Sequence, residues 1–293
     1  MATEHDIDGD TEWRPPEIPG VPPAAVMLLE HTIDFAGLFP PAKQTMSEAV
    51  ETYAKARAHP DAWMLERFVL KATELQAFEE SALPHLPRAE DEEPWPLSVL
   101  VRHNADGLAA DVEALEQFND RHVDPSEGFA IADVVEIKGD SPASIEAALN
   151  HMPDEVFPFF ELDWRGDIRG TLATIVGGDA GVKLRTGGLA AEDFPTLEAT
   201  AKFLLDAASA EVPLKGTAGM HWPLRAPSDV VEGATAHGFL NFLTADAVAH
   251  LRDCDDSDLI PILQASADDF EFSGTLVRVD DWELEDFEIA EAR

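Results

Sequence analysis

Two lysines and two glutamates lie inside apolar segments, where a charged side chain is unexpected. Lys183 lies in "GVKLR" (181–185) and Lys215 in "VPLKGTA" (212–218), while Glu136 and Glu161 lie in "ADVVEIK" (132–138) and "FPFFELD" (157–163). Because buried charges are unfavourable unless they are paired or used, these residues are candidates for chemistry.

The chemistry that two neighbouring lysines favour is Schiff-base formation. A nearby ammonium group and burial both lower a lysine pKa, and a neutral amine is the nucleophile that attacks a carbonyl carbon. We therefore predict Lys183, and second Lys215, as nucleophile. Glu136 or Glu161 would then move protons.

Further polar residues lie at the ends of the same segments. Residues i and i+2 of a strand share a face, so Arg185 points the same way as Lys183, and Thr217 the same way as Lys215. We predict that the following residues contact an anionic small-molecule substrate: Lys138, Arg185, Thr186, Gly187, Gly188, Thr217, His221 and Arg225.

Positioning these groups requires strands whose ends meet. Apolar runs of five to eight residues alternate with amphipathic segments of ten to eighteen, which is typical of parallel strands joined by helices. The predicted strands are 25–33, 63–70, 96–102, 132–138, 157–163, 181–185, 212–218 and 270–277, and clear helices cover 45–58, 107–120, 141–152 and 196–210. Eight such units predict a single (β/α)8 TIM barrel over 23–293, with the site at the carboxyl ends of its strands. Residues 1–22 are polar and rich in proline, and we expect a flexible acidic tail there.

The lysines and the strands around them resemble the deoxyribose-phosphate aldolase family of class I aldolases over about 131–277. The shared features are "K-x-x-T-G" at Lys183, "K-x-x-x-G" at Lys215, the strand "ADVVEIK" and, more loosely, "FSGT" (272–275). The resemblance implies a Schiff base on Lys183, a tuning role for Lys215 and a proton-shuttle acid at Asp133. In a regular strand Asp133 and Glu136 cannot both face inward, and we prefer Glu136, which lies nearer the mouth.

Two departures from the family are Arg185 inside its motif and "GMHWPLR" after Lys215. The whole chain is also similar to a group of bacterial proteins of this length that have no assigned activity. Two alternatives stay open: an enzyme using a divalent metal on Glu136, Glu161, Asp163 and His221, and a barrel that binds an anionic ligand without catalysis. No motif calls for another cofactor.

Charge and composition limit the partners. Asp and Glu number 58 against 20 Lys and Arg, giving a formal charge of -38, which excludes binding to the phosphate backbone of nucleic acids. We interpret this acidity as adaptation to a cytoplasm rich in salt. The chain shows neither a signal peptide nor a transmembrane run, and one cysteine, Cys254, also indicates a cytoplasmic protein. A homo-oligomer is left open.

Overall fold

A computed structural model describes residues 17–292 of the protein. A sheet of seven parallel strands forms its centre. The strands pair in the order in which they occur along the chain, as β1-β2-β3-β4-β5-β6-β7. They are β1 (Ile33–Phe35), β2 (Leu65–Lys71), β3 (Trp95–Leu100), β4 (Ala130–Lys138), β5 (Phe157–Leu162), β6 (Gly181–Arg185) and β7 (Leu214–Thr217). This sequential parallel order is the connectivity of a TIM-like fold.

Helices follow the strands, and several begin at a hydroxyl side chain. Thr45, Ser141 and Thr196 each accept a hydrogen bond from the main-chain N–H three residues on, and so cap the helices that follow them. The helices are α1 (Pro23–Leu29), α2 (Met46–Arg57), α3 (Leu75–Ala82), α4 (Ala105–Arg121), α5 (Pro142–Leu149), α6 (Arg169–Leu172), α7 (Leu197–Ser209), α8 (Phe239–Leu251), α9 (Asp256–Gln264) and α10 (Asp286–Ala292).

The sheet is curled, so that its first and last strands approach each other across a concave face. The Lys215 ammonium on β7 contacts the Asp34 carboxylate on β1. Alternation then places apolar residues on the convex face: Phe160 of β5 and Val182 and Leu184 of β6 are buried in the core. The charged residues between them therefore face the concave side.

The predicted eighth barrel strand is wrong. Residues 270–277 form a hairpin, β10 (Phe270–Ser273) with β11 (Leu276–Val279), and a third antiparallel strand, β12 (Trp282–Glu285), completes a separate sheet. Within residues 17–292 no strand joins β7 to β1, so the sheet is a curled half-barrel rather than a closed eight-stranded barrel. A two-stranded ribbon, β8 (Ala226–Pro227) with β9 (Thr235–Ala236), lies between β7 and α8.

The predicted first strand is also mostly wrong. Its apolar run forms α1, whose first residue is Pro23, and the strand starts only at Ile33. A proline suits the first position of a helix because its missing N–H would have no partner there. The main-chain N–H of Ala24 donates to Gly274 O at 3.1 Å, which ties α1 to the small antiparallel sheet. Of the predicted tail over 1–22, residues 1–16 lie outside the described range.

No helix within residues 17–292 is both long enough and apolar enough to cross a lipid bilayer.

Candidate active site

Lys183 and Lys215 occupy directly paired positions on β6 and β7. On the other side of Lys183, the same row across the sheet continues with Glu161 on β5 and Lys138 on β4. Parallel pairing thus brings the four charged residues to one level of the concave face, as the alternation of the sequence predicts.

Glu136 joins the two lysines. Its Oε2 lies 2.8 Å from Lys183 Nζ and its Oε1 lies 2.8 Å from Lys215 Nζ. Ser98 Oγ on β3 donates to Oε1 at 2.8 Å. Glu136 and Lys183 are both buried, with 4% of each residue exposed. Although burial alone would raise the pKa of Glu136, Lys215 and Lys183 lower it to about 2, so this carboxylate stays ionised.

Lys215 is held as an ammonium group. Burial lowers its pKa, but Asp34 and Glu136 raise it by more, and the net result is a pKa above the ordinary value. The sequence prediction that the neighbouring lysine and burial make this amine neutral is therefore wrong for Lys215. The physical reason is that its carboxylate contacts outweigh the unfavourable effects of burial and of a like charge.

Lys183 has a second carboxylate partner, which is more accessible than the first. Glu161 Oε2 lies 2.7 Å from Lys183 Nζ, and 19% of the Glu161 side chain is exposed, against 3% for Glu136. Arg185 Nη1 lies 3.9 Å from the same Glu161 oxygen. The Lys183 amine is thus held between a buried carboxylate and one that reaches solvent.

Sequence reasoning missed Asp34 and Ser98, which complete the cluster. Lys215 Nζ donates to the Asp34 carboxylate and, at 3.1 Å, to Ser98 Oγ. The available signal was a polar residue inside an apolar strand, as in "PLSVLV" (96–101). The local sequence does not mark Asp34 or Ser98 as site residues, because their role depends on the curling of the sheet, which brings β1 and β3 opposite β7.

Asp133 and Glu136 both reach the concave face, contrary to the sequence argument that a regular strand allows only one. The pairing of β3 with β4 shifts between Leu97 and Ser98, so that β4 contains one extra residue at Asp133. Asp133 is bound by Arg67 of β2, with Nη2 to Oδ2 at 2.7 Å and Nε to Oδ1 at 3.1 Å. Its carboxylate therefore belongs to a different ion pair from the lysine cluster.

The predicted substrate contacts differ in where the structure places them. Lys138 and Arg185 are exposed at the carboxyl ends of β4 and β6, where they can meet a ligand. Thr186 instead is fully buried, and its Oγ1 donates to the carbonyl groups of Thr217 and Ala218. The hydroxyl of Thr186 thus fastens the end of β6 to β7.

Gly187 and Gly188 allow close packing in the turn after β6. A Cβ on Gly187 would come within 2.9 Å of the Cα of Gly219, and one on Gly188 within 2.3 Å of the Asp193 carboxylate. Asp193 accepts hydrogen bonds from the main-chain N–H groups of Leu189 and Ala190. These glycines shape the loop above the lysines, which is a structural role.

His221 and Arg225 lie away from the lysines. His221 Nδ1 is 2.9 Å from Asp229 Oδ1, and Arg225 lines a separate cavity between the loops after β6 and β7. The four side chains of the alternative metal site, Glu136, Glu161, Asp163 and His221, do not gather. In the described part of the chain no three His, Cys, Asp or Glu side chains form a group that could hold a metal ion.

Comparison of the sequence with protein-family models and with curated proteins, and of the fold with solved structures, finds no match in any of the three.

Proposed function

We propose that the protein is a Schiff-base lyase of the aldolase type, acting on a small anionic carbonyl compound, with Lys183 as nucleophile. The observation that carries the proposal is the position of the Lys183 amine. It lies 2.8 Å from Glu136 and 2.7 Å from Glu161, directly beside the Lys215 ammonium on the next strand.

The two lysines have different roles in this proposal. Lys215, whose pKa is raised by Asp34 and Glu136, keeps its proton and supplies a fixed positive charge. Lys183 instead contacts Glu161, whose carboxylate reaches solvent, and it is therefore the lysine that we assign as nucleophile.

The two glutamates also differ. Glu136, with a pKa of about 2, is too weak a base to hold a proton near neutral pH, and it orients both lysines instead. Glu161 contacts Lys183 Nζ and reaches solvent, so it is the group that takes and returns protons.

The reaction starts with transfer of a proton from the Lys183 ammonium to Glu161. The neutral amine adds to the substrate carbonyl, Glu161 returns the proton to the resulting oxygen, and water leaves as the iminium forms. The iminium accepts the electron pair of the adjacent carbon–carbon bond as Glu161 takes the proton of the β-hydroxyl group. This step releases one carbonyl product and leaves an enamine on Lys183. Glu161 then gives this proton to the enamine carbon, and addition of water to the resulting iminium releases the second carbonyl product and frees the lysine.

An anionic substrate suits the mouth of the site. Lys138 and Arg185 are exposed cations on either side of β5, in a chain whose formal charge is -38. A carboxylate or phosphate group on the substrate would form charge-assisted hydrogen bonds with Lys138 and Arg185.

A second candidate function is binding of an anionic ligand without catalysis. The observation that favours it is that carboxylates already pair with both lysines. In this case the cluster only holds the curled sheet together, and ligand binds to Lys138 and Arg185.

Borohydride reduction separates the two candidates. We would incubate the protein with small aldehydes, ketones and 2-oxo acids in concentrated potassium chloride, reduce, and measure the intact mass. Imine chemistry predicts a stable adduct in the wild type and none in Lys183→Met. Lys183→Arg retains the positive charge but cannot form an imine, so it distinguishes lost chemistry from lost folding.

Lys202→Met is the matched control, because Lys202 is an exposed lysine on α7 that pairs with Asp206. It should form the adduct as the wild type does. Adduct formation that survives Lys183→Arg would contradict the proposal. Ligand binding with no adduct from any carbonyl compound would establish the second candidate.

A further inference from the structure

A second pocket lies between the loops that follow β6 and β7. It is a surface cavity of about 340 Å³, lined by residues of the start of α7, of the preceding loop and of the β8–β9 ribbon. None of its lining residues is Lys183, Lys215, Glu136 or Glu161. The cavity is therefore separate from the proposed active site, and an inference about it does not depend on lysine chemistry.

Arg225 brings a positioned and unused cation to this cavity. Its main-chain N–H donates to Asn241 Oδ1 at 2.9 Å, and the buried Asn241 is fixed in turn by donating to the carbonyl groups of Ile262 and Ala265. Within the described range, the guanidinium of Arg225 makes no hydrogen bond or ion pair, and its one electrostatic partner is Glu198. Burial lowers the pKa of this half-buried group, so an anionic partner would stabilise it.

Glu198 brings the opposite charge. It lies in the first turn of α7, and its own main-chain N–H and the Thr196 hydroxyl lower its pKa. Glu198 and Arg225 attract each other, but they form no ion pair within 4.0 Å. The cavity is therefore lined by one positive and one negative side chain that do not form an ion pair with each other.

Part of the remaining wall is apolar. Phe194, Pro195, Leu197 and Ala234 line the cavity, and the ring of Phe194 lies beside Gly187 and Gly219. The cavity is several times larger than the roughly 30 Å³ that one water molecule takes in the liquid, so it has room for a small organic ligand.

We propose that this cavity binds a small zwitterion of the α-amino acid class with an apolar side chain. Arg225 pairs with the carboxylate of the ligand, Glu198 pairs with its ammonium group, and the apolar part of the wall contacts the side chain. A dianion such as phosphate would meet Glu198 as a repulsive neighbour, whereas a zwitterion uses both charges.

Three probes of similar shape test the charge requirement: L-leucine, L-leucinamide, which lacks the carboxylate, and 4-methylpentanoate, which lacks the ammonium group. Binding is measured by calorimetry, or by saturation-transfer NMR where it is weak. We expect L-leucine to bind about tenfold more tightly than either analogue. Arg225→Gln should weaken L-leucine binding about tenfold or more, and Glu198→Gln should abolish the preference for L-leucine over 4-methylpentanoate.

Arg169→Gln is the matched control, because Arg169 is an exposed arginine that pairs with Asp167 outside the cavity; it should bind L-leucine as the wild type does. Lys183→Met should also bind L-leucine normally, which separates failure here from failure of the proposed activity. The inference is overturned by absence of saturable L-leucine binding, by equal binding of L-leucine and either analogue in the wild type, or by unchanged L-leucine binding in Arg225→Gln.

Discussion

Replacing Glu136 by glutamine should destabilise the protein in a manner that depends on pH. A carboxyl group whose pKa falls from 4.5 to about 2 on folding contributes about 3 kcal/mol at neutral pH. Because its pKa is lowered in the folded state, this contribution is fully present above about pH 4.5 and is lost as pH falls towards 2. Glutamine cannot ionise, so Glu136→Gln should be less stable than the wild type by about 3 kcal/mol at pH 7 and by only about 1 kcal/mol at pH 3.

The assay is urea unfolding followed by tryptophan fluorescence at several pH values and constant potassium chloride. Urea is uncharged and leaves the ionic strength unchanged, and the difference between variant and wild type removes the acid sensitivity common to both. Glu155→Gln is the control, since Glu155 is exposed, and it should differ from the wild type by less than about 0.5 kcal/mol at every pH. A Glu136→Gln difference that is below about 1 kcal/mol at neutral pH, or that does not change with pH, would refute the reasoning.

Three further predictions concern other parts of the molecule. Burial raises the pKa of Asp246 to about 7, and its Oδ1 lies 3.7 Å from His250 Nε2. Because the folded protein holds this proton more tightly than the unfolded chain, the contribution of Asp246 to stability is lost as pH rises from about 4 to 7. Thermal melts should therefore show Asp246→Asn more stable than the wild type at pH 8 but not at pH 4. Thr186→Val removes the hydroxyl that donates to Thr217 O and Ala218 O, and urea titration should show a loss of about 1–2 kcal/mol, whereas an unchanged midpoint would contradict this role. With a formal charge of -38, the protein should melt at a lower temperature in about 0.1 M than in about 1 M potassium chloride, because the screening length grows from about 3 to 10 Å; a melting temperature independent of salt would contradict the interpretation as a salt-adapted surface.

The strands and helices that surround the site could be predicted from the sequence because each has a local signal. The strand β6 at 181–185 agrees with its predicted bounds, and α7 (Leu197–Ser209) lies within the predicted helix at 196–210. Alternation was sufficient to place Lys183 and Arg185 on one face. These features depend on neighbours within a few residues.

The parts that could not be predicted depend on longer range. The apolar run 25–33 fits a buried helix as well as a buried strand, and its residues up to Leu29 form part of α1 because of tertiary packing. From residue 270 onward, apolar and polar residues alternate, and two-residue turns at Gly274 and Asp280, both with positive φ, separate the strands. This pattern also fits antiparallel hairpins. The bulge at Asp133 has no local sequence signal, and it alone allows two carboxylates three residues apart to share a face.

The position of a reduced imine shows whether Lys183 is the nucleophile. After borohydride treatment with a carbonyl compound that forms an adduct, peptide mass spectrometry identifies which of the seven lysines carries it. We expect the adduct on Lys183, present in the wild type and, at lower yield, in Lys215→Met. An adduct on Lys215 that survives Lys183→Arg would contradict it.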